Sequence, residues 1–163
     1  MLHSCRMQAL PEQNSAARQT GHSDTFTEGI RVRVGARLVP DQSDPPSGRW
    51  FYAYRVSIEN AGERPARLTH RHWIIRDSDN VQREVRGPGV VGKQPRLEPG
   101  ASFAYVSGCP METEWGTMEG WFHFERDDGE RFAARVGRFF LAPTVAPVAE
   151  LEEWVENLAP RQP

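Results

Sequence analysis

Apolar and polar residues alternate along most of the chain. In the run 27–38, Ile30, Val32, Val34, Ala36 and Leu38 share one face, while Arg31, Arg33 and Arg37 take the other. That two-residue period predicts a half-buried strand. The stretch 40–48, rich in Asp, Ser, Pro and Gly, reads as a loop. A second alternating run, 50–60, sets Tyr52, Tyr54, Val56 and Ile58 on one face and closes at Asn60-Ala61-Gly62. A third run covers 66–76. Asp77-Ser78-Asp79-Asn80 follows, with side chains that tolerate left-handed backbone, so 81–85 is expected to return as the second strand of a hairpin. Further strands are expected at 101–107, 120–126 and 131–141. The last two flank Asp127-Asp128-Gly129, a strong hairpin signal. The segments 87–95 and 110–119 are expected to be loops, with a turn at Leu97-Glu98-Pro99-Gly100.

Seven or eight short strands with turns at about ten-residue spacing predict an all-β fold. The specific expectation is an antiparallel β-sandwich, immunoglobulin- or fibronectin type III-like. Nothing between the strands is long and periodic enough for the crossover helix of a parallel sheet. Three segments are expected. Residues 1–25, polar and without period, form a disordered leader; 26–143 form the sandwich; 144–163 form a tail. In the tail Leu151, Trp154, Val155 and Leu158 recur at three and four residues, which predicts a short amphipathic helix. The pattern leaves open whether Tyr52 and Tyr54 or Phe51 point inward.

Composition narrows the function classes. Of 163 residues, 38% are apolar, and Gly 14 with Pro 13 supply many turns. A formal net charge of −2 argues against nucleic acid as partner. No apolar run reaches the length of a membrane span, and the start has no apolar signal core, so a cytoplasmic protein is expected, away from membranes. Lys93 is the single lysine beside nineteen arginines. Cys5 and Cys109 are expected to be reduced thiols, and Cys109 has no neighbouring Cys or His to make a zinc site.

Three candidates carry chemistry. Gly87-Pro88-Gly89-Val90-Val91-Gly92 has the spacing G-x-G-x-x-G, but Pro95 and Pro99 prevent the helix that a dinucleotide site requires. The segment can still be a turn needing positive φ. Alternatively its main-chain amides, Gly89 to Lys93, flanked by Arg86 and Lys93, aim at a small phosphate-containing anion or at a protein partner. His70-Arg71-His72-Trp73 places two histidines on one strand face, a candidate metal pair with His123, Asp77 or Asp79 as further ligands. Ser107 and Cys109 lack the elbow and base that a nucleophile needs, and Asp127-Asp128 is explained by its hairpin tip.

These motifs carry a resemblance. Arg71-His72-Trp73-Ile74-Ile75, then 85–95 ending Gly92-Lys93-Gln94-Pro95, then Leu97-Glu98-Pro99-Gly100, 103–108 and Gly116-Thr117-Met118-Glu119-Gly120, resemble the ApaG family in that order, over about 29–143. The resemblance implies a fibronectin type III-like sandwich. It also implies an association with cobalt and magnesium resistance or efflux, without an assigned molecular activity. Bacterial members are often encoded beside a diadenosine tetraphosphate hydrolase and a ribosomal RNA methyltransferase. Eukaryotic relatives, in F-box proteins and a polymerase-delta-interacting protein, look like interaction modules. The family's glycine motif, a suggested pyrophosphate site, falls here on Gly87, Gly89 and Gly92. Two departures stand out: Lys93 replaces a commonly acidic residue, and Val136-Gly137-Arg138-Phe139 lacks a usual proline.

The expectation is therefore a non-enzymatic binding module without cofactor. Its ligand-binding residues are Arg86, Gly87, Gly89, Gly92 and Lys93, and any role in cobalt or magnesium handling is indirect. The alternatives are a divalent-metal-responsive module using His70 and His72, and a phosphoanhydride hydrolase. The sequence leaves oligomeric state open.

Overall fold

The computed structural model describes residues 21–143. Nine strands form two antiparallel sheets. The first sheet runs in the order β1 (His22–Thr27), β2 (Ile30–Leu38), β3 (Trp50–Asn60) and β7 (Ser102–Met111). The second runs β5 (Gln82–Pro88), β4 (Ala66–Asp77), β8 (Gly116–Glu125) and β9 (Arg131–Leu141), and β6 (Arg96–Leu97) adds to β4. The inward sets of the two sheets meet in one core, with Ile30, Val32, Tyr52, Tyr54, Val56 and Ile58 facing Leu68, Trp73, Ile75, Phe122, Phe124 and Phe139. Trp73 sits at its centre, edge-on to Tyr54, Phe122 and Phe139 at ring separations of 5.5 to 6.1 Å.

The alternation rule therefore holds, and it resolves the open aromatic question. Tyr52 and Tyr54 point inward, while Phe51 lies on the outer face with Val39 and Ala53, covering Gly108. Burying three such rings supplies several kcal/mol, at roughly 2 kcal/mol or more each.

Four differences from the expected pattern have physical causes. β1 begins at His22, inside the segment read as leader. Its residues are all exposed or half-buried, so it carries no apolar stripe for a sequence pattern to detect. Residues 110–111 and 116–119 extend β7 and β8 into the expected loop, leaving a short connection at 112–115. Gly87 and Pro88 still belong to β5, the edge position where proline is tolerated. The two-residue β6 is too short to show any period. The helix expected near 151–158 and the leader 1–20 lie outside the described residues.

The turns follow their residues. Asn80 takes a left-handed φ of 64° between β4 and β5, and Asp77 Oδ1 accepts the amides of Asp79 and Val81. The β1–β9 side of the sandwich is closed, because Thr25 Oγ1 donates to the Arg135 carbonyl and the Arg135 amide donates to Thr27 Oγ1.

Candidate functional site

The glycine segment and the Arg71-His72-Trp73 segment fold into one unit at the β4–β5 end of the second sheet. Strand alternation sends the three side chains of the second motif to different tasks. Trp73 enters the core. Arg71 stands opposite Gly87 on β5 and Phe122 on β8 in the same sheet, and its guanidinium lies over Gly87, where a Cβ would stand 2.9 Å from Nη1. From there Nη1 donates to the carbonyls of Pro88 and Gly89 at 3.0 and 3.1 Å. His72 faces outward.

Beyond Gly89 the chain makes a two-residue hairpin. Val90 and Lys93 exchange both main-chain hydrogen bonds, at 2.8 and 2.9 Å, and Val91 and Gly92 between them have φ of 44° and 77°. Positive φ at both central residues is the type I′ pattern. Glycine meets it freely, whereas β-branched Val91 is strained. The strain is held because Val90 is fully buried in the core and Val91 packs against it. At Gly89, with φ of 61°, a Cβ would come within 2.3 Å of the Lys93 carbonyl oxygen, so only glycine fits. Gln94 completes the unit: its Nε2 and the Gly89 amide both donate to the Thr69 carbonyl, at 3.0 and 2.8 Å.

This accounting narrows the main-chain reading. The amides of Gly89, Val90 and Lys93 are used inside the protein. Those of Val91 and Gly92, at the tip of the turn, are the ones a two-residue hairpin leaves pointing outward. Gly87 serves the Arg71 contact, Gly89 serves the turn, and Gly92, with nothing within 4 Å of its Cβ position, stands open at the tip beside exposed Lys93. No helix starts after Gly92; the chain proceeds to β6.

Next to this hairpin, the outer face of the second sheet forms a hollow of about 570 Å³. Its lining includes His70, His72, Arg86, Gly87, His123 and Arg131. His70 stands opposite His123 on β8, and His72 stands opposite Arg86 on β5 and Trp121 on β8. The His72 ring lies 5.3 Å from that of Trp121, and the Arg135 guanidinium lies over the indole. Glu84 organises the cations: its Oε2 meets His72 Nε2 at 3.0 Å and accepts from Arg86 at 3.1 Å. These partners hold the Glu84 carboxyl below its usual range, the His72 hydrogen bond first. His123 is pushed below the ordinary histidine value, first by burial and then by His72, His70 and Arg86. Glu125, ion-paired with Arg131, also lines the hollow, and an anion bound beside His123 would favour the protonated ring that burial disfavours.

The two motifs named in the sequence thus meet, and His123 joins them from β8. Thr69, Glu84 and Gln94 were not singled out in the sequence, since only the cross-strand register brings them there. His70 and His72 share a face as expected, but residues two apart on a strand stand about 7 Å apart, and His72 Nε2 is engaged by Glu84. Among the described residues no group of three or more His, Cys, Asp or Glu side chains is arranged to hold a metal ion. Ser107 is buried, and its side chain shares a hydrogen bond with the buried Tyr54 hydroxyl. Cys109 is buried under Arg83, and burial pushes its thiol up to about 11, away from nucleophilic use near neutrality. A second hollow, of about 420 Å³, opens between β3, β7 and the start of β5 beside Trp50, Val81 and Met111. It contains neither motif. Among the described residues no helix is long and apolar enough to cross a membrane.

Comparison with known proteins agrees with the sandwich fold. The ApaG domain family matches residues 40–126. A Protein ApaG of Dechloromonas aromatica is 48% identical over 120 residues, covering 74% of this chain and 94% of its own length. A Protein ApaG of Methylobacterium sp. (strain 4-46) is 50% identical over 115 residues, 71% of this chain and 88% of its own. A crystal structure of a Bordetella pertussis protein described as ApaA superposes with a TM-score of 0.69 at 42% identity, covering 78% of this chain and 99% of that one.

Proposed function

Because the chain belongs to the ApaG family, whose curated relatives carry a name but no reaction, we propose that it is a non-enzymatic binding module. Its ligand is a phosphate-type anion, free or carried on a protein partner. The site is the hollow beside the glycine hairpin, with Arg86 and Lys93 supplying charge, His70, His72 and His123 lining the floor, and the amides of Val91 and Gly92 at the rim.

One observation carries the reading: Gly87, two residues before a hairpin that is strained at Val91 and held by Arg71, lines a hollow that gathers three imidazoles and Arg86. Strain kept at a surface turn, where looser loops cost less, is a mark of a surface built to present something. The fibronectin type III likeness fits a recognition role, as sandwiches of that kind display loops and sheet faces to partners. Any part in cobalt or magnesium resistance is, on this reading, indirect and follows from what the site binds.

Glu84 is the built-in competitor, since its carboxylate already holds His72 Nε2 and the Arg86 guanidinium. Calorimetric titration with pyrophosphate near pH 6 tests the assignment. Wild-type protein binds, Glu84→Gln binds several-fold more tightly, and Arg86→Gln with Lys93→Gln binds at least ten-fold more weakly. Equal affinity in all three proteins, or no heat with any, would remove the anion site.

A further inference from the structure

The four outer edges of the two sheets are treated differently, and one of them is left open. β1 is tied to β9 through Thr25 and Thr27, which closes both of those edges. β5 carries Arg83, Glu84 and Arg86 along its edge and ends in Pro88, the charges and proline that discourage pairing. β7 carries a proline only near its far end, at Pro110. Its ten residues, Ser-Phe-Ala-Tyr-Val-Ser-Gly-Cys-Pro-Met, contain no charged side chain, and among the described residues only β3 pairs with it.

The direction of its main-chain groups can be read from neighbouring bonds. The Phe51 carbonyl accepts from Val39 on the β2 side, so odd residues of β3 face β2 and even ones face β7. The Asn60 amide donates to the Ala101 carbonyl, which agrees. The register pairs Tyr52, Tyr54, Val56 and Ile58 with Cys109, Ser107, Tyr105 and Phe103. Odd residues of β7 are therefore spent on β3. Ser102, Ala104 and Val106 turn their N–H and C=O groups to the open edge. Gly108 points the same way but is buried, and the Pro110 carbonyl beyond it already accepts from Arg83, which confirms the direction and ends the free stretch at Val106.

We propose that this edge, residues 102–106 of β7, is a docking strand for a second copy of the chain, pairing antiparallel with its own counterpart. A two-fold axis at Ala104 sets Ala104 against its own copy and Ser102 against Val106. It forms about six main-chain hydrogen bonds and merges the two four-stranded sheets into one. Self-pairing suits this segment because it is neutral, so no like charges meet across the axis, and because its outward side chains are small. The inward side chains, Tyr105, Ser107 and Cys109, stay in the core and are untouched by the contact. The hollow beside the glycine hairpin lies on the other sheet, so both copies keep it open.

Sedimentation velocity of the full chain from micromolar to millimolar concentration, with amide hydrogen exchange, tests this. The wild type is expected to dimerise, with concentration-dependent protection at Ser102, Ala104 and Val106. Val106→Pro removes one outward N–H that β3 does not use, and Val106→Lys adds an edge charge. Each should stay monomeric with an unchanged circular dichroism spectrum, and if the proline variant fails to fold the lysine variant carries the test. A wild type that remains monomeric throughout overturns the proposal, even if those amides are protected by another part of the chain. So does a dimer that survives Val106→Lys.

Discussion

Gly89 shows how much of the glycine motif is architecture. Its left-handed φ and the 2.3 Å approach of the Lys93 carbonyl oxygen leave no room for a methyl group. Gly89→Ala must either break the hairpin or shift the chain after β5, and should lower stability by about 3 kcal/mol. Chemical denaturation of the two proteins measures this directly. A change below about 0.5 kcal/mol, the level of an ordinary surface substitution, would mean the turn is not held as described. Gly92 behaves differently, because its Cβ position is empty space and only its φ of 77° asks for glycine. Of the three motif glycines, it is the one positioned for a ligand to approach.

At the scale of elements, Arg71 couples β4 to the β5–β6 connection. A half-buried arginine that reaches two carbonyls of one loop makes charge-assisted hydrogen bonds stronger than neutral ones. Arg71→Met keeps the stem and loses both bonds. The expected result is hydrogen exchange at least ten-fold faster at the Gly89, Val90 and Lys93 amides, while amides in β3 keep their rates. Uniform acceleration everywhere, or none at the hairpin, would contradict the anchoring role. The elements were largely legible in the sequence because most strands have one face in the core and one in solvent, so alternation reports them. β3 and β9 start and stop where the pattern does. β1 and β6 were not legible, one having Phe26, exposed, as its sole apolar residue and the other being two residues long. The site was legible only in part. The two motifs stand out in sequence, but Arg71 pointing inward and His123 arriving opposite His70 depend on strand register and on the bulge between Leu68 and His70.

At the scale of the molecule, the two sheets divide the work. Their inner faces build a core around Trp73, and the outer face of the second sheet concentrates imidazoles and arginines beside a fixed hairpin. His123 registers the charge of that face. Burial and its cationic neighbours disfavour its proton in the folded state, while the unfolded chain takes the proton at the ordinary value. Stability from this group is therefore complete above the ordinary histidine range and declines as pH falls through it. A bound anion works in the opposite sense, favouring the protonated ring.

The most direct test is an NMR pH titration of the imidazoles with and without millimolar pyrophosphate, read together with the amide shifts. Free protein should show His123 titrating below an ordinary histidine. Pyrophosphate should raise its midpoint and move the amides of residues 69–72, 86–93 and 123. An unmoved His123 midpoint with silent amides there, or shifts confined to the hollow at Trp50, Val81 and Met111, would contradict the assignment.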